Sequence, residues 1–201
     1  MIAAIELAIL AALNEAGENG VLGYNYVVRD TFPDEFEEYL AEARNLRTPA
    51  AWVAWLGADQ FEDSDDDTGP TARLRFALVV GEQNLRNEQD TRHGDGAKPG
   101  SYQLAIDAIR LLSGSDIGLN LTSSIEVGGM RLVNRTAAMK RQKLSLIAIE
   151  LSCRAPFGGF VPGNLGTFGT LHVDWDVPPH GNVAPPLPAA EADASDLIEL
   201  P

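Results

Sequence analysis

The chain has 201 residues, 45% of them hydrophobic, and a formal net charge of −14. That is enough apolar material for a sizeable core and too much for a disordered chain, while the acidic balance argues against nonspecific nucleic-acid binding. Cys153 is the one cysteine, which excludes an internal disulfide and a multi-cysteine metal site, and no apolar stretch approaches the twenty residues of a membrane-spanning helix.

The charge is distributed unevenly. Residues 1–70 hold 3 Lys/Arg and 15 Asp/Glu, residues 71–154 hold 12 and 8, and residues 155–201 hold none and 6. Acidic ends around a mildly basic middle describe a subunit with two unlike faces, or an acidic protein whose few basic residues lie centrally.

In chain order, Ile2, Ile5, Ile9, Ala12, Leu13 and Ala16 recur at spacings of three and four, which predicts a helix over 2–16. Glu6 inside that run and the missing positive n-region argue against a signal peptide. Gly17, Asn19 and Gly20 stop the helix, and LGYNYVVRD reads as a strand. A second helix is expected over Asp34–Leu46 behind Pro33, ended by Thr48-Pro49. AAWVAWLG, residues 50–57, reads as a buried strand carrying Trp52 and Trp55. The acidic stretch Glu62–Asp67 fails as an EF-hand loop. DSDDDTGPTARL lacks Gly at the sixth position and has Leu at the twelfth, so a solvated hairpin turn is expected.

Residues 73–113 form the centre of the chain. Phe76 to Val80 is a continuous apolar run, the mark of a strand buried on both faces. A long polar loop follows, with Asn84, Arg86, Asn87, Arg92 and His93 and turn-marking Gly94, Gly96, Pro99 and Gly100. Ser101 is placed to cap a helix whose apolar face is Leu104, Ile106, Ile109, Leu111 and Leu112. The loop is too long for a mere connector and is the expected seat of function.

Beyond Ser113-Gly114-Ser115, Ile117, Leu119 and Leu121 alternate, and a further strand runs from Ile125 to Val133, broken at Gly128-Gly129. Arg131, Arg135, Lys140, Arg141 and Lys143 form the most basic stretch, without the aromatics of a single-strand-binding platform. KLSLIAIELSC, residues 143–153, is the clearest strand, and TLHVDWDV, residues 170–177, alternates like a half-exposed one. These elements give an α+β fold, a mostly antiparallel sheet flanked by helices, as one domain over residues 1–177. Residues 178–201, rich in Pro and Ala and acidic, read as an extended C-terminal arm.

The sequence has no P-loop, GxGxxG, GxSxG or HExxH. His172, Asp174 and Asp176 alternate on one strand and are the only pattern that a small metal-dependent hydrolase could use, though such a face is more often solvated. No cofactor is implied, and the chain reads as a non-enzyme.

The run VVGEQNLRNEQDTRHG followed by GSYQL resembles a Mu-like phage and prophage tail protein family. The opening MIAAIELAIL, PAAWVAWLG, LSLIAIELSC and HVDWDVPPHGNV agree with it in order and character. The resemblance implies a tail terminator: a homohexameric ring at the head-proximal end of the tail tube, which ends tube polymerisation and docks neck proteins. It implies no catalysis. The implied partners are further copies of the chain, the tail tube protein, neck or head–tail connector proteins and the sheath protein, with no membrane and no sequence-specific nucleic acid. Arg86, Asn87, Arg92 and His93 are the expected subunit or tube contacts. A neck or head–tail connector protein of the same virion is the competing reading.

Overall fold

The computed structural model describes residues 1–43, 46–63, 69–84, 88–158, 170–175 and 194–199. The chain divides into two compact units, Met1–Gly159 and Phe160–Pro201.

The first unit is α+β. Its helices are α1 (Ile2–Glu18), α2 (Phe36–Glu42), α3 (Glu88–His93), α4 (Ser101–Leu112) and α5 (Ala137–Arg141). Its strands are β1 (Val28–Thr31), β2 (Ala50–Glu62), β3 (Thr71–Gln83), β4 (Glu126–Leu132) and β5 (Leu144–Pro156), in the sheet order β1-β2-β3-β5-β4. Every pairing is antiparallel except β1 with β2. No described helix is long and apolar enough to cross a membrane.

Residues paired across a ladder share a face, so the register sorts the sheet into two sides. One side carries Ala51, Val53, Leu74, Phe76, Leu78, Val80, Ile147, Ile149 and Leu151. It is buried under Ile5, Ile9 and Leu13 of α1 and Leu104, Ala108 and Leu112 of α4. The other side carries Ala50, Trp52, Val79, Leu146 and Ala148, packed with Leu40 of α2 and Met139 of α5. Phe36 and Tyr39 meet the Trp52 ring edge-on, at 5.5 and 6.2 Å. Helices on both sides explain why β5 is apolar almost throughout.

The second side is covered along only part of its length. Farther along the strands it carries ion pairs, Arg75–Asp59 at 3.2 Å, Arg131–Glu150 at 3.2 Å and Arg154–Glu62 at 2.7 Å. The two pairs exposed on both partners, Arg75–Asp59 and Arg131–Glu150, contribute little stability.

Several expectations change in detail. Of LGYNYVVRD only Val28 onward is strand, and Tyr26 instead turns into the core with its hydroxyl on the Leu104 carbonyl. The strand at Ala50 runs on to Glu62, and it is buried only as far as Val53, so Trp55 is half-exposed. Ser101 is not a cap. It is the first residue of α4, and its hydroxyl bonds that of Ser145 at 2.9 Å. The α4 core face is Leu104, Ala105, Ala108 and Leu112, with Ile106 outside it. Ile117, Leu119 and Leu121 pack on the core from a loop, not a strand. The expected break at Gly128-Gly129 is a β-bulge between Val127 and Gly129. The acidic connection between β2 and β3 links two antiparallel neighbours, and its residues 64–68 lie outside the described residues.

In the second unit, β6 (Thr170–Trp175) pairs antiparallel with β7 (Ala194–Glu199), with Leu171 opposite Ile198. Residues 194–199 of the expected arm thus form a strand, while 178–193, 200 and 201 lie outside the described residues.

Candidate assembly surface

The loop expected to carry function joins β3 to α4. Arg86 and Asn87 lie outside the described residues. Arg92 and His93 occupy the last turn of α3, where the negative end of the peptide dipoles favours basic side chains. Thr91 of the same helix is buried, and its hydroxyl reaches the Lys143 carbonyl at 3.4 Å.

Past α3 the backbone is held tightly. Gly94 and Gly96 take φ of 83° and 84°, and Gly94 bridges to Pro99. Between them Asp95 Oδ1 accepts the amides of Ala97 and Lys98 at 3.0 and 2.8 Å. A Cβ on Gly100 would sit 2.2 Å from the Arg92 carbonyl oxygen and 2.3 Å from the Gly94 nitrogen, so only glycine fits there. The Gly and Asp of HGDGAKPG are therefore backbone devices that set where His93 and Lys98 stand.

Two surfaces border this loop. The first is an open groove of about 630 Å³ lined by Arg47, Thr48, Gln83, Asn84, Asp95 and Lys98 among others. The Thr48 hydroxyl donates to Glu82 Oε1 at 2.8 Å and accepts the Gln83 amide at 3.3 Å. Glu82 is 2% exposed, and its second oxygen has no hydrogen-bond partner among the described residues. Burial pushes its carboxyl above the usual range, against the opposing pull of the Thr48 bond and of Lys98.

The second surface is apolar. The His93 ring lies 5.5 Å from that of Tyr102, which is 41% exposed. Ile106, one turn on along α4, is 39% exposed. Beside α4 the sheet ends at β4, whose Met130 (58%) and Leu132 (46%) stand opposite Ile149 and Ile147 and so share the α1/α4 side. The buried Ser101–Ser145 bond ties the start of α4 to β5, the strand that β4 pairs with. Exposed apolar side chains on a helix and on a strand whose outer edge pairs with no other strand among the described residues are the ordinary material of a protein–protein contact.

No group of His, Cys, Asp and Glu that could hold a metal occurs among the described residues. Cys153 is buried, and that burial pushes its thiol up to about 11, which leaves it a neutral core residue. His172 and Asp174 lie in β6, and Asp176 lies outside the described residues.

Sequence reasoning singles out the loop and does not single out the exposed apolar residues of α4 and β4. Ile106 reads as core because it sits among apolar neighbours in a helix, and Met130 and Leu132 look like any alternating strand. That β4 is the last strand of the sheet is not written in its own residues.

No curated protein matches this chain. A family model described as "Bacteriophage Mu, Gp37" matches residues 1–156, which is the first unit almost to its end. The chain therefore belongs to the Bacteriophage Mu Gp37 family, a family of phage structural proteins, and is a virion-associated protein.

Proposed function

We propose that this protein is the tail terminator of a Mu-like phage. It forms a homohexameric ring on the head-proximal end of the tail tube, ends tube polymerisation there, and presents the surface on which neck proteins dock. Its neighbours are further copies of itself, the tube protein, the neck or head–tail connector proteins and, where the tail has one, the sheath protein. The loop residues Arg86, Asn87, Arg92 and His93 meet the next subunit or the tube.

The observation that supports this reading is the set of exposed apolar side chains on α4 and on the outermost described strand, Tyr102, Ile106, Met130 and Leu132. A virion protein whose sheet ends are unfinished, with no arrangement for chemistry, both among its described residues, is built to be completed by other subunits. The acidic first third and basic middle of the chain add unlike patches of the kind that head-to-tail contacts need.

The test is the distribution of tail lengths, seen by electron microscopy, in particles made without this protein. Overlong tails of variable length with unattached heads are expected. Tails of normal length that fail to join heads would instead make it a connector of the neck. Normal infectious particles would remove it from tail assembly altogether.

A further inference from the structure

Among the described residues no strand pairs with the outer edge of β1 or of β4, and the backbones of these two edges are complementary. With β2 taken as running up, β3 runs down, β5 up and β4 down, and β1, parallel to β2, runs up. Copies set side by side in the same orientation therefore bring β4 of one against β1 of the next in antiparallel directions.

The unpaired groups at the two edges also match. Val133 donates its amide to the Leu146 carbonyl, so the strand alternation turns the backbone groups of Met130 and Leu132 away from β5, out of the sheet. On β1, Val28 and Phe32 donate to the carbonyls of Pro49 and Val53, which leaves those of Arg29 and Thr31 pointing outward. Only certain registers bring outward groups into pairs. One of them sets Thr31 opposite Met130 and Arg29 opposite Leu132, and between them Asp30 opposite Arg131.

In that register the side chains also agree. Asp30 stands opposite Trp52 in its own chain and Arg131 opposite Ala148, so both project from the α2/α5 side and meet as opposite charges. Met130 and Leu132 project from the α1/α4 side, where their apolar strip would come beside the next copy's α1. That helix turns Ala4, Leu7 and Ala11 outward to solvent.

We propose that β4 of each copy pairs antiparallel with β1 of the next, with Asp30 facing Arg131 across the joint. This rests on the reading of the chain as a ring subunit and says which surfaces close the ring. The joint is heterologous, so the same contact repeats head to tail. In the free chain Asp30 Oδ1 accepts the Thr31 amide at 2.8 Å, and Arg131 holds Glu150 at 3.2 Å. The Asp30 bond masks an outward amide until the neighbour arrives, and its release frees the carboxylate for Arg131.

The experiment uses the full chain, purified and in assembled particles. Asp30 and Arg131 would form a non-hydrogen-bonded pair about 4.5 Å apart between Cα atoms, close enough for a disulfide. Chains carrying Asp30→Cys are mixed with chains carrying Arg131→Cys, the native Cys153 being buried. A cross-linked dimer in the mixture and in neither variant alone is expected. Cross-linking of Arg131→Cys with itself would mean that β4 edges pair with each other, and would overturn the proposal. No cross-link in either the purified protein or the particles would overturn it as well.

Charge reversal supplies the second arm. Asp30→Arg or Arg131→Asp alone is expected to weaken self-association about tenfold or more, and the two together to restore it. If the double variant stays as weak as the singles, the assigned register is wrong. A joint that forms while tail lengths are normal without the protein would keep this inference and discard the terminator reading.

Discussion

Glu82 is a carboxylate buried against its chemical preference. It sits at the end of β3 with one oxygen on the Thr48 hydroxyl and the other without a partner among the described residues, and burial raises its carboxyl. A raised native value means that the folded chain binds the proton more tightly than the unfolded one. Its contribution is complete below the unfolded value near 4.5 and is lost as pH climbs through the native one. Glu82→Gln keeps an acceptor for Thr48 and removes the charge. The variant is expected to melt higher than the parent at pH 7.5, with the gap closing as pH falls toward 4.5. Parallel melting curves across that range would show that the carboxyl is not held neutral by the fold. From sequence, Glu82 reads as one more member of a polar loop. Its surroundings come from Thr48, Lys98 and its strand partner Ser145, all distant in sequence.

Among the elements, β2 shows best how neighbours decide a strand's character. Trp52 and Trp55 are three residues apart in a run that reads as uniformly buried, yet Trp52 is enclosed by α2 and α5 and Trp55 is half-exposed. Trp52→Ala should cost about 3–5 kcal/mol, since the Phe36 and Tyr39 rings that meet it edge-on would be left around a cavity. Trp55→Ala should cost under about 1 kcal/mol. Urea unfolding of the two variants makes the comparison, and equal losses would mean that α2 and α5 do not hold that side of the sheet. The helices α1 and α4 and the strands β3 and β5 were legible because long periodic patterns dominate local choice. The strand assigned to Tyr24 and Tyr26 was not, because two aromatics spaced by two serve a core-directed loop as well as a strand.

For the whole molecule, the expected outcome concerns assembly rather than stability. Reversing Arg86 and Arg92 to glutamate should leave a folded chain with unchanged circular dichroism and thermal midpoint, and lower the yield of rings or joined particles. Rings formed at the parental level by the doubly reversed protein would take the loop out of the interface. The loop and the sheet joint are separable, since Asp30 and Arg131 lie on the edge strands and Arg92 on α3. Losing either contact would thus have its own signature: edge variants fail to associate with themselves, and loop variants fail where the loop meets its neighbour.

The sequence by itself determined that this chain is α+β with a real apolar core, that its centre is a buried strand, a polar loop and an amphipathic helix, and that it resembles a Mu-like phage family. Those properties follow from periodicity and from local residue chemistry, which need no partner to be expressed. Strand order was decided only by the tertiary structure, and with it which apolar residues lie outside. Met130 and Leu132 are exposed because β4 ends the sheet, and Ile149 and Ile147 opposite them are buried because β5 does not. Nothing in an alternating strand records whether a neighbour stands on one side or on both, so edge and centre are properties of the assembled sheet.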